Sequence, residues 1–176
     1  MSSLNKGLKK VEVALKWDPS PAGEPVNDLD IVAATYSVDA PYGKPVYLVH
    51  FGSRSPDGTI ILNRDSKTGQ GFGMDEVMTL EFDRISDSYA RVVVGVVIQQ
   101  GGGRKTFGEV EGTGVQIQEG YDKLVEYDFS TVASATAVTV VEFTRNEAGE
   151  WGLRESIRGF DTNPAGFAEL MGQRAD

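Results

Sequence analysis

Apolar and polar residues alternate along much of the chain. Val11, Val13, Leu15 and Trp17 interleave with Lys10, Glu12, Ala14 and Lys16, so an extended segment turns one face to a core and the other mostly to water. Met78, Leu80 and Phe82 do the same against Thr79 and Glu81, and Val115 and Ile117 alternate with Gln116 and Gln118. Segments 124–129 and 136–143 are rich in β-branched and aromatic residues and read as two more strands. Three runs, 31–36, 46–51 and 91–98, are apolar on both faces or nearly so, which predicts central strands covered on both sides.

Turn residues punctuate these runs. Ser55-Pro56-Asp57-Gly58 is a reverse turn in which Pro56 presets φ and Gly58 takes the strained position. Gly101-Gly102-Gly103 reads as a mobile tip, and Glu147-Ala148-Gly149-Glu150 closes a hairpin between Phe143 and Trp151. Nine or ten strands with frequent turns predict an all-β fold, a β-sandwich of two antiparallel sheets. One short C-terminal helix is expected. Asn163 caps it, Pro164 opens it, and Phe167, Leu170 and Met171 share a face that closes one end of the sandwich. The 176 residues suit a single domain, 1–176, without internal repeats.

Composition narrows the function classes. The absence of cysteine excludes disulfides, thiolate metal sites and cysteine nucleophiles. A formal charge of −9 disfavours nucleic acid as a partner, because phosphate-backbone binding draws on clustered Lys and Arg. The first apolar residues alternate with lysines, unlike a secretory signal, and no segment approaches the roughly 18 apolar residues that span a bilayer. The expectation is a soluble, cytoplasmic protein.

Two acidic groups are candidates for chemistry. Asp28 and Asp30 flank Leu29 just before a buried run; in an extended segment both carboxylates aim at one spot, where they repel unless a cation lies between them. The second group runs from Asp65 to Asp75 and Glu76 through Gly69, Gly71 and Gly73. Glycines let a loop curl its carbonyls inward, which is how hard cations gather six to eight oxygens. Asp65 and Glu76 stand first and twelfth, as in an EF-hand loop, but Lys67 is third, Gly69 fifth and Gln70 sixth, and flanking helices are missing. A solvated strand end and a glycine-rich hairpin loop are the plain alternatives for the two groups. His50, the single histidine, reads as structural, since one histidine cannot build a multi-histidine metal site. Trp17 and Trp151 read as core rather than sugar platforms. Arg104 and Lys105 beside the glycine tip lack the strand-to-helix setting of a phosphate loop.

In order and spacing, Asp28-Leu29-Asp30, Ser55-Pro56-Asp57-Gly58 and the 65–76 loop resemble the TerD family of tellurite-resistance and stress proteins. Thr106-Phe107-Gly108-Glu109-Val110, Tyr127-Asp128-Phe129, Gly149-Glu150-Trp151 and Arg158-Gly159-Phe160 extend that resemblance over nearly the whole chain. The resemblance implies a β-sandwich that binds calcium, with Asp28, Asp30, Asp65, Asp75 and Glu76 as metal ligands. It also implies no enzymatic activity, and association with other tellurite-resistance proteins near the inner face of a bacterial membrane. Phe72 and Met74 stand where the family often has aspartates, Ser66 where it has asparagine, Gln70 for glutamate and Gly52 for asparagine. Fewer oxygen donors imply one calcium ion rather than two, or weaker binding. A β-sandwich module for a sugar or anion, and a carboxylate-dependent hydrolase, are the alternative functions.

Overall fold

The protein's structure is a computed structural model that describes residues 7–66, 68–70, 73–101 and 103–174. Ten strands form two antiparallel sheets of five. The first sheet runs in the order β4 (Ile60–Arg64), β5 (Glu76–Glu81), β1 (Lys10–Lys16), β7 (Gly114–Glu119), β8 (Asp122–Tyr127). The second runs β10 (Trp151–Phe160), β9 (Ala137–Arg145), β6 (Tyr89–Ile98), β2 (Leu29–Ser37), β3 (Tyr47–Val49).

The period-two pattern sets the inner faces. Val11, Val13 and Leu15 of β1 and Met78 and Leu80 of β5 meet Ile31 and Ala33 of β2 and Val92, Val94 and Val96 of β6, all buried. Each of these larger side chains contributes about 1.5–3 kcal/mol by leaving water, and Ala33 less. Phe82 packs on Phe143 and Trp151 with centroids 4.7 and 4.8 Å away, so Trp151 is core, as is Trp17.

β2 and β6 are central strands covered on both faces. Their outer side chains Val32, Ala34, Val93 and Val97 lie under Phe167 of the C-terminal helix α1 (Pro164–Leu170) and Met171, the residue that ends it. Asn163 caps this helix by accepting from the Gly166 N–H at 2.8 Å. Two expectations are corrected here. The helix lies on the outer face of the second sheet rather than at an end of the sandwich, because Gly95 leaves a hollow for Phe167: a β-carbon there would stand 2.6 Å from Cζ of that ring. The 46–51 run is an edge, not a central strand. Only Tyr47–Val49 pair, Val46 and Phe51 are half exposed, and a tight bridge between His50 and Ser53 ends the strand. The turn at Ser55–Gly58 forms as expected, with Gly58 at φ +72.

Candidate metal centre

β4 and β5 are neighbours joined as a hairpin, and Asp65 and Glu76, on either side of its connection, lie beside Asp30 where β2 begins. The curl of the connection is local chemistry. Ser66 Oγ accepts from the N–H groups of Thr68 and Gly69, and Gly69 and Gly73 both sit at φ +78. Gly69 also lies on the indole of Trp17, where a β-carbon would stand 2.5 Å from Nε1. Trp17 Nε1 donates to the Asn27 carbonyl at 2.8 Å, and the Asn27 side chain binds Lys105 Nζ at 2.6 Å. One tryptophan therefore holds both acidic segments.

Carboxylate oxygens of Asp30, Asp65 and Glu76 converge, all within 4.8 Å of one another. Asp30 and Glu76 are buried and Asp65 is exposed, so the group opens to solvent on the loop side. Gln99 Nε2 holds Asp30 by donating to Oδ2 at 2.6 Å. Glu76 reaches across the sandwich: Oε1 accepts from the Ile31 N–H at 2.9 Å, on the side of β2 that short β3 leaves uncovered. Its other oxygen, Oε2, is sealed from solvent and receives no hydrogen bond from a donor among the described residues. What faces Glu76 is acid. Burial, and next the Asp30 carboxylate, push its carboxyl from 4.5 up to about 11.

The other two candidates are not members of this triad. Asp75 precedes Glu76 and turns the opposite way, accepting from the Trp17 backbone N–H at 2.8 Å; burial raises its carboxyl while that bond and Arg64 pull it back. Asp28 lies before β2 begins. It is half-buried, with one carboxylate oxygen sealed from solvent and its carbonyl accepting from Gln99 N–H. Met74 is half-buried at the end of the loop, and Phe72 lies outside the described residues. His50 is close enough to feel Asp30. Burial lowers its imidazole, Asp30 opposes that, and Nδ1 accepts from the Gly52 N–H, so the ring serves its own turn.

The three carboxylates fit a hard cation. All donors are oxygens, which suit calcium, magnesium or manganese rather than thiolate- or imidazole-seeking ions. Ligands on opposite sides of a calcium ion are about 4.6–5.2 Å apart, so a 4.8 Å spread lies within one coordination sphere. Once its proton leaves, the buried Glu76 oxygen supplies an acceptor already stripped of water.

Sequence reading missed Gln99, Asn27 and the clamp made by Trp17. Their roles come from strand pairing and from loop packing, which no local motif encodes. Among the described residues, no helix is long and apolar enough to cross a membrane.

Comparison with known proteins agrees with this architecture. Over 97% of this chain and 100% of its own, the crystal structure of a protein of unknown function, SAV2460, superposes with a TM-score of 0.95 at 59% identity. A homologue of the telluride resistance protein TerD, SCO6318 from Streptomyces coelicolor A3(2), gives 0.94 at 57% identity over 96% and 100%. The tellurium resistance protein TerD of Serratia marcescens is 26% identical over 98% of this chain and 91% of its own length. The TerD domain model matches residues 1–171, a span that takes in both sheets, the acidic hairpin and the helix, and the chain belongs to the TerD family.

Proposed function

We propose that this protein is a calcium-binding member of a tellurite-resistance system that works through ion-dependent interactions rather than catalysis. The observation that carries the reading is the convergence of Asp30, Asp65 and Glu76 on one spot, where the buried Glu76 faces other acids and no basic side chain among its described neighbours. A bound ion would neutralise carboxylates that otherwise repel, and would tie the β4–β5 loop to the start of β2. Asp28, beside the start of β2, is the proposed fourth carboxylate, while Asp75, turned to the Trp17 N–H, holds the loop end in place. A glycine-curled loop of mixed carbonyl and carboxylate donors favours calcium, since magnesium demands a tighter octahedron and gives up water reluctantly.

The hydrolase reading is weaker. Acid–base pairs in glycoside hydrolysis stand roughly 5–10 Å apart across a groove, whereas these oxygens lie within 4.8 Å and two of the three residues are buried. The proposed setting, the cytoplasmic face of a membrane among other resistance proteins, rests on the family alone. The deciding experiment is a calorimetric calcium titration of chelator-stripped protein, repeated with magnesium as competitor and with Asp65→Asn. Calcium should bind, resist magnesium, and bind at least tenfold more weakly to Asp65→Asn, a change at an exposed position that spares the core. Absence of calcium binding to the native chain defeats the reading.

A further inference from the structure

The outer face of the second sheet is only partly covered by α1. Beside the helix, a cavity of about 330 Å³ opens over β6, β9 and β10, near the lower end of the range for small-molecule sites. Four guanidinium groups border it, those of Arg91, Arg154, Arg158 and Arg174, with Tyr42 and one carboxylate, Glu142. In a chain of net charge −9 this is a local reversal of sign.

Strand pairing builds the cluster. Arg154 stands opposite Glu142 and Arg158 opposite Thr139, while Glu142 stands opposite Val93 on its other side. Glu142 is fully engaged: one oxygen accepts from Arg91 Nε at 2.6 Å and the other from Arg154 Nη2 at 2.8 Å. Arg91 is scaffold. It is buried, donates through Nη1 to the carbonyls of Pro41 and Gly172, and lies 4.4 Å from the Tyr42 ring centroid.

The remaining arginines have donors to spare. Arg154 keeps 69% of its side chain exposed, Arg158 gives Nη1 to the Gln173 carbonyl, and Arg174 stacks on Tyr42 at 4.1 Å. A guanidinium carries five N–H donors in a rigid fork that matches two oxygens of one anion. Among the described residues that line the cavity, Glu142 is the one acid, and each of its oxygens already accepts from an arginine. The Tyr42 ring already carries two guanidinium groups, so a flat aromatic base has no open platform there.

We propose that this cavity binds a small oxyanion of the phosphate class, gripped by Arg154, Arg158 and Arg174. The Arg91–Glu142 pair sets the cavity floor and fixes the C-terminal turn that carries Arg174. The guest is inorganic phosphate or the phosphate of a small monoester; both present the same oxygens to the same forks.

The test uses the full chain, stripped of divalent ions, titrated with inorganic phosphate by calorimetry at low ionic strength. Saturable one-to-one binding is expected. The double variant Arg154→Gln/Arg158→Gln should weaken it by about tenfold or more, the scale of one or two lost charge-assisted bonds. Lys9→Gln/Lys10→Gln removes the same charge from exposed positions elsewhere and should leave the affinity essentially unchanged. Phenyl phosphate separates the two sources: tighter binding than phosphate identifies a monoester guest, equal binding identifies the free ion. No saturable binding at millimolar phosphate overturns the proposal. So does undiminished binding by the arginine variant, or equal weakening by the lysine variant.

Discussion

Glu76 is held by two opposed demands. Its oxygen must be present to accept the Ile31 N–H, yet a charge on it would be stranded beside Asp30 in a dry setting. Without an ion, the folded chain keeps a proton on Glu76 up to about 11, whereas an unfolded chain releases it near 4.5. The resulting stabilisation is fully present below 4.5 and is lost progressively as pH rises toward 11. In chelator, this one group should therefore lower stability steadily as pH rises from 5 to 8, because the unfolded chain sheds a proton that the folded chain keeps. Urea unfolding at several pH values should show that slope for the native chain and a flatter one for Glu76→Gln; parallel slopes would refute it. Calcium must displace the same proton, so its apparent affinity should rise with pH. Asp65 and Glu76 were legible in the sequence because acids bracket glycines there. Gln99 was not, since only the pairing of β2 with β6 brings it to Asp30.

Among the elements, the helix shows what a pattern can and cannot convey. Asn163, Pro164 and the spacing of Phe167 and Met171 revealed its start and its apolar face. Where that face would dock depended on Gly95, a residue in the middle of a valine run 72 positions earlier in the chain. Phe167→Ala should empty this hollow and cost about 3–5 kcal/mol. A denaturant midpoint close to that of the native chain would show that the helix merely rests on the sheet. Strand β4 escaped notice because Ile61 is exposed and Asn63 and Arg64 break the alternation, as befits an edge. The 46–51 run misled for the reverse reason. Apolar side chains at Val46 and Phe51 stay half exposed on an edge that the sequence alone cannot tell from a centre.

At the level of the whole molecule, the acidic centre joins the two sheets. Glu76 belongs to the first and Asp30 to the second, and a cation between them would bridge the halves of the sandwich. Calcium at a hundredfold excess over its dissociation constant should add about 2.7 kcal/mol, visible as a higher melting temperature in calcium than in chelator. Asp30→Asn should erase most of that gap; an equal gap in both proteins would locate the ion elsewhere. The open borders of the two sheets carry a different consequence. Two antiparallel sheets have four edges, each a row of backbone groups able to recruit a strand from another molecule. Here β8 carries Asp122, Lys123 and Glu126, β10 carries Arg154, Glu155 and Arg158, and β4 ends in Asn63 and Arg64. The remaining edge, β3, offers only three residues before the chain folds back on itself. An intruding strand would have to desolvate charge on three borders and would find too short a ladder on the fourth. A sandwich edged in this way can be crowded to high concentration without its sheets growing into one another.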